Sequence, residues 1–203
     1  MIVKLYNENP MERVVRDVAK RLAAGAVIIY PTDTLYALGC SIKSVHGIEK
    51  LKQIKGKDSD QMSLVCADLT SIATYAKVDD VTFRTLRKNL PGAFTFIMPA
   101  SNKAPEKVLE GRRTVGIRVP DNNIALAIIR ELGAPLVTTS VRHAGAEDET
   151  EYLTDPSLIA EAYPMVDLVV DGGIGMDNPS TVVDCSIEGA EPTIIRQANA
   201  ILK

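Results

Sequence analysis

Tryptophan is absent, and there are three Phe and six Tyr among 203 residues. A core with so few aromatics must be mainly aliphatic, which favours buried parallel strands over an aromatic-rich sandwich. Cysteine is scarce too: Cys40, Cys66 and Cys185 are odd in number and widely spaced. That pattern excludes a disulfide framework and a zinc site. Each lies in an apolar run, reads as a small buried hydrophobe, and suggests a reducing compartment. No apolar run approaches the ~18 residues of a membrane span. Residues 1–10 include an acidic residue and lack the apolar core of a signal peptide. The expected location is the cytoplasm, with no membrane partner. Neither sign of charge dominates, since 23 Lys and Arg face 26 Asp and Glu for a net charge of −3. Any anion site must therefore come from local clustering. There is no G-x-x-x-x-G-K-[ST] loop, no G-x-G-x-x-G and no metal-ligand spacing, so no metal is expected. The two histidines, His46 and His143, have no assignable partner, and no catalytic triad is proposed.

What is present alternates between two periods. Residues 11–24 place Val14, Val15, Val18, Leu22 and Ala23 at helical spacing, with Gly25 as C-cap. Residues 26–30 form a buried strand that Pro31 ends. Helices are expected over 45–55, 69–75, 81–90, 123–132 and 156–162, and strands over 63–66, 93–98, 115–119, 136–139, 168–170, 181–184 and 193–196. Asp121 or Asn122 caps the helix at 123. The N-terminus reads as an extended arm, and 144–151 as an acidic loop. This alternation predicts an α/β fold: one domain over 1–203, a twisted mixed sheet and helices on both faces.

Polar residues gather where such sheets place ligands, at strand ends. Thr32, Asp33 and Thr34 follow the first buried strand, and they also suit a capped turn. Lys52, Lys55 and Lys57 crowd around Gly56, as a phosphate site or as a solvated helix end. Arg118 stands inside an apolar strand, where it needs a ligand or a salt-bridge partner. Thr138, Thr139 and Ser140 close another buried strand, with Arg142 and His143 following. Ser180 opens a late strand and Arg196 stands in the last one. Together these hydroxyls and arginines would cradle a polar anionic ligand.

In order and separation, these segments resemble the YrdC/YciO family along residues 13–196. The segments are Tyr30 to Gly39, Lys55-Gly56-Lys57, Pro91-Gly92 with Thr95-Phe96, Gly116-Ile117-Arg118-Val119-Pro120, Thr138-Thr139-Ser140 and Pro179-Ser180-Thr181-Val182-Val183-Asp184. The resemblance implies a twisted α/β sheet with a positively lined concave surface. For the YrdC branch it implies synthesis of threonylcarbamoyl-AMP from threonine, bicarbonate and ATP, for modifying the adenosine next to the tRNA anticodon. It assigns Thr34, Arg118, Thr138 and Ser180 to a threonine-like substrate. Lys55, Lys57, Ser140 and Arg196 go to nucleotide phosphate, and Lys52, Lys55 and Lys57 to RNA.

This chain departs from the synthase pattern: segment 57–63 lacks the Pro-rich run expected after K-x-R, Gln197-Ala198 stand where Pro-Gly is usual, and two substitutions change the chemistry. Arg142 replaces the Asn of S-x-N, exchanging a donor-acceptor for donors only. Lys57 replaces an Arg, losing its bidentate fork. The segments 36–39 and 91–96 are similar to the YciO branch. The expectation is a YciO-type nucleotide- and RNA-binding protein. Its partners would be tRNA or double-stranded RNA, ATP or AMP, and L-threonine, with ATP entering as substrate, with or without Mg2+. The alternatives are an active threonylcarbamoyl-AMP synthase and a non-catalytic RNA chaperone or ribosome-associated factor.

Overall fold

The computed structural model describes residues 1–56, 62–141 and 153–203. The sequence expectations for Lys57, Arg142, His143 and the acidic loop lie outside the described residues.

Ten strands form one mixed sheet. In chain order they are β1 (Ile2–Lys4), β2 (Ile28–Tyr30), β3 (Ala37–Ser41), β4 (Ser63–Val65), β5 (Phe94–Pro99), β6 (Thr114–Arg118), β7 (Leu136–Ser140), β8 (Leu168–Asp171), β9 (Thr181–Asp184) and β10 (Thr193–Arg196). Their order across the sheet is β1-β8-β2-β3-β7-β4-β6-β5-β9-β10. Parallel pairs β1/β8, β8/β2, β4/β6 and β5/β9 are mixed with antiparallel pairs such as β3/β7 and β9/β10. The helices are α1 (Glu12–Ala23), α2 (Val45–Lys55), α3 (Leu69–Tyr75), α4 (Asp80–Asn89), α5 (Glu106–Leu109), α6 (Asn123–Leu132) and α7 (Pro156–Ala162). Of the two expected candidates, Asp121 and Asn122, the α6 cap is Asn122, whose side chain accepts from the Ala125 amide at 3.0 Å.

Strand alternation sends successive side chains to opposite faces, and each face has its own apolar cluster. On one face α1 and α6 pack together, and Val15, Val18, Leu22, Ile124 and Ile128 meet Ile28, Tyr30, Ala37, Leu136 and Leu168 of the strands. On the other face Ile48, Leu51, Ile72, Leu86 and Ile159 of α2, α3, α4 and α7 meet Ile29, Leu38, Leu64, Phe96 and Ile117. The largely aliphatic core expected from composition is what fills both. All three cysteines are buried and free, and burial pushes the Cys40 and Cys66 thiols up to about 12.

Three elements differ from the sequence expectation. The N-terminal arm is strand β1, in register with β8 as Ile2↔Val169 and Lys4↔Asp171, and Leu5 beyond it is 1% exposed. An edge strand of three residues held by backbone bonds carries no hydrophobic period to read. Strand β3 begins in the segment Tyr30 to Gly39, which the sequence marks only as the end of a strand. Its period is broken by Gly39, where an added Cβ would stand 2.8 Å from Tyr30 Cε1; only glycine lets the Tyr30 ring pass. Helix α5 is a single turn of four residues, too short for a helical period.

Candidate functional site

The α1/α6 layer covers only part of its face. Ala37 of β3 and Val65 of β4 belong to the cluster beneath it and also line a cavity of about 430 Å³. Going on toward β9, the same face carries Ser63 of β4, Thr114, Gly116 and Arg118 of β6, Thr95 and Ile97 of β5, and Val182 of β9. Their strand neighbours Leu64, Val115, Ile117, Phe94, Phe96 and Val183 sit in the opposite cluster. The alternation that packs one face with large aliphatics therefore leaves small and polar groups on the other. Gly116 lies between Ser63 and Thr95, and an added Cβ would be 3.4 Å from a carbon of each.

Four cationic residues reach this wall: Lys55 at the end of α2, Arg112 before β6, Arg118 at the end of β6, and Arg196 of β10. No Asp or Glu lines it among the described residues. Directly behind Arg118 stands Asp33, whose Oδ1 accepts from Arg118 Nη2 at 3.0 Å, each side chain being 10% exposed. The sequence left Arg118 open between a ligand and a salt-bridge partner. The structure gives it a partner and also places it on the cavity wall. Burial lowers the Arg118 pKa, Asp33 raises it, and the nearby Arg196 lowers it again. The guanidinium stays charged regardless. Among the described residues, Asp33 Oδ2 and Arg118 Nε are buried without a hydrogen-bond partner.

The hydroxyls are also oriented. Tyr30 donates to Thr138 Oγ1 at 3.1 Å, and Thr138 donates to the Leu38 carbonyl at 2.8 Å. Burial pushes the Tyr30 phenol up to about 12, so it remains a donor. Ser180 Oγ and Thr95 Oγ1 are 2.8 Å apart. Arg196 holds the Ser180 carbonyl through Nε at 3.2 Å and Nη2 at 2.8 Å. Thr32 Oγ1 donates to the Leu35 carbonyl at 2.6 Å and accepts from the Thr34 amide at 3.0 Å.

Six of the residues that the resemblance assigns to a site therefore line one cavity: Lys55, Arg118, Thr138, Ser140, Ser180 and Arg196. Two others do not. Thr34 is 2% exposed and turned into the bend, with its Oγ1 3.1 Å from Thr32 Oγ1; Thr32 is the wall residue. Lys52 forms an ion pair with Glu110 and is not among the residues that line the cavity. Sequence reasoning missed Ser63, Thr95, Thr114 and Arg112. The first three could have been found from the alternation of small polar and large apolar residues along β4, β5 and β6. Arg112 stands in an irregular stretch, where no period marks it. Among the described residues no cluster of His, Cys, Asp and Glu is placed to hold a metal, and no helix is long and apolar enough to cross a membrane.

The chain and its fold have counterparts among known proteins. The Sua5/YciO/YrdC family model, described as "Telomere recombination", matches residues 20–198. The chain belongs to the Sua5/YciO/YrdC family. YciO of Escherichia coli K12 is 37% identical over 196 residues, covering 95% of this chain and 93% of its own. The crystal structure of E. coli YciO superposes with a TM-score of 0.89 at 34% identity, covering 99% of this chain and 97% of that one. The threonylcarbamoyl-AMP synthase of Thiobacillus denitrificans is 34% identical over 169 residues, 80% of this chain and 86% of its own. Sua5 of P. abyssi, solved with L-threonine, shares the fold with a TM-score of 0.85 at 24% identity; this chain covers 57% of it.

Proposed function

We propose that the cavity binds a nucleotide, and that the chain is a YciO-type nucleotide- and RNA-binding member of the family. The observation that carries this reading is the convergence of Lys55, Arg118 and Arg196 on one wall with no carboxylate among its described residues. A point-charge lysine and two planar guanidiniums suit phosphate oxygens. Thr138, Ser140 and Ser180 supply hydroxyls for a small hydroxylated acid such as threonine, whose carboxylate would face Arg118. The volume of about 430 Å³ lies in the range of small-ligand sites.

The synthase reading is favoured by the 34% identity to a threonylcarbamoyl-AMP synthase. In it, a carboxylate oxygen of N-carboxylated threonine bonds to the α-phosphorus of ATP, and the bond from that phosphorus to pyrophosphate breaks. The residues of this chain would position both reactants and neutralise the charge on the phosphates. Lys55 would serve the RNA reading through backbone phosphates, while Lys52 is engaged by Glu110.

Calorimetric titration with AMP and ATP, paired with pyrophosphate release from ATP, threonine and bicarbonate, tests these readings together. Binding without release supports the binder, and binding with release supports the synthase. Failure of both nucleotides to bind overturns the cavity assignment.

A further inference from the structure

Arg112 lines two concavities. Besides the cavity above, it borders an open surface depression of about 710 Å³, whose wall includes Lys77, Ser101, Asn102 and Arg113. Arg112 is fixed at this junction because its Nε donates to the Leu109 carbonyl at 2.9 Å and its Nη2 to the Val108 carbonyl at 2.7 Å, both at the end of α5. These bonds leave the remaining guanidinium edge for a ligand.

The depression is basic. Among its described lining residues there is no Asp or Glu. Neither Lys77 nor Arg113 has an ion-pair partner among the described residues. Of the carboxylates close in sequence, Glu110 pairs with Lys52, Glu106 accepts from the Gly111 amide at 2.9 Å, and Asp79 accepts from the Thr82 amide at 2.7 Å and from the Gly189 amide. The whole chain has net charge −3, so this local excess stands against the bulk balance. Asn102 adds a short hydrogen-bonding group, the Ser101 hydroxyl already donates to the Thr74 carbonyl at 2.7 Å, and among the described lining residues no aromatic side chain offers a stacking platform. A surface of cations and small donors without aromatics contacts phosphates rather than bases.

We infer that the depression is a second anion subsite, which takes the phosphates of a ligand extending out of the cavity past Arg112. This rests on the nucleotide reading of the cavity. The cavity holds a mononucleotide, and the depression, which shares Arg112 with it and also carries Arg113 and Lys77, binds what continues from it. The shared chemistry is a chain of phosphates, supplied either by a polynucleotide backbone or by the triphosphate of a single nucleotide.

The experiment compares wild type with the double variant Lys77→Ala, Arg113→Ala. The probes are AMP, ATP and a five-residue oligoadenylate, each titrated over a range of salt concentration. Both side chains are exposed on the surface, so the fold is expected to be unchanged. The variant should bind oligoadenylate on the order of tenfold more weakly, and its slope of log affinity against log salt should fall by about 1.4, for two lost single-strand phosphate contacts. AMP affinity should not change. A parallel loss for ATP identifies the triphosphate as a source, and a loss confined to oligoadenylate identifies the polynucleotide. The subsite is overturned if the variant binds both longer ligands with wild-type affinity and salt slope, or if wild type binds them no tighter than AMP. The cavity is judged separately: wild type that binds neither AMP nor ATP overturns the nucleotide reading, while the comparison of variant with wild type on the longer ligands judges the subsite.

Discussion

Two parts of one sheet face are built from the same kind of strand and end differently. Under α1 and α6, β2, β8 and β7 present Ile28, Tyr30, Leu168, Val170 and Leu136, and two helices close over them. Farther across, β4, β6, β5 and β9 present Ser63, Thr114, Gly116, Thr95 and Val182, and a cavity lies there instead. A helix packs where its apolar stripe finds apolar area to bury, at roughly 25 cal/mol per Å². Over hydroxyls and glycine that gain is missing, and burying unpaired hydroxyls would cost free energy. Side-chain size at alternate strand positions thus decides which region becomes core and which stays open to a ligand.

The largest expected effect lies where the open region contains a buried charge pair. Arg118→Met would leave Asp33 buried with no cation and lower stability by about 3 kcal/mol, read by urea unfolding. Changing both residues to apolar ones, Arg118→Met with Asp33→Leu, should recover a large part of that loss, because a well-packed apolar pair can replace a buried ion pair. A single variant as stable as wild type would mean that the pair is not held as described.

Next is the hydroxyl that joins the two regions. Thr138→Val removes the acceptor of the buried Tyr30 hydroxyl and should cost about 2 kcal/mol. Tyr30→Phe in the same background should cost less than the sum of the two single changes, as measured in a double-mutant cycle. Additive losses would show that the two hydroxyls are not coupled.

Gly116→Val gives the open region the side chains of the covered one. Its methyls would enter the cavity between Ser63 and Thr95. AMP binding should weaken by at least about tenfold, ~1.4 kcal/mol, with the fold retained by circular dichroism. Unchanged affinity would place the nucleotide elsewhere. The smallest effect is expected at Lys52→Ala, which breaks a partly exposed pair with Glu110. Its stability change should stay within about 0.5 kcal/mol and AMP affinity should be unaltered; a marked loss of AMP binding would return Lys52 to the site.

The same contrast explains what the sequence made legible. Long amphipathic stretches such as 11–24 announce helices, and hydroxyls after apolar runs announce strand ends. Hydroxyls at strand ends mark Thr138, Ser140 and Ser180, and cations in a cluster or an apolar strand mark Lys55, Arg118 and Arg196, although nothing in the sequence reports their proximity. Strand β3 was hidden because Gly39 answers to the Tyr30 ring, a contact across strands that no local pattern reports. Strand β1 was hidden because its edge pairing rests on backbone bonds. Thr34 looked like a wall residue, but the bend at 32–35 turns Thr32 outward and Thr34 in. Arg112 was invisible because its position depends on the carbonyls at the end of α5, a turn too short to recognise.

Hydrogen exchange of backbone amides with and without saturating AMP compares the two regions directly. The expected result is added protection in Ser63–Val65, Thr114–Arg118, Leu136–Ser140 and Thr181–Asp184, with no change in Glu12–Ala23 or Asn123–Leu132. Protection centred on the two covering helices, or no change anywhere at a concentration that saturates binding, would contradict the assignment of the open region as the ligand site.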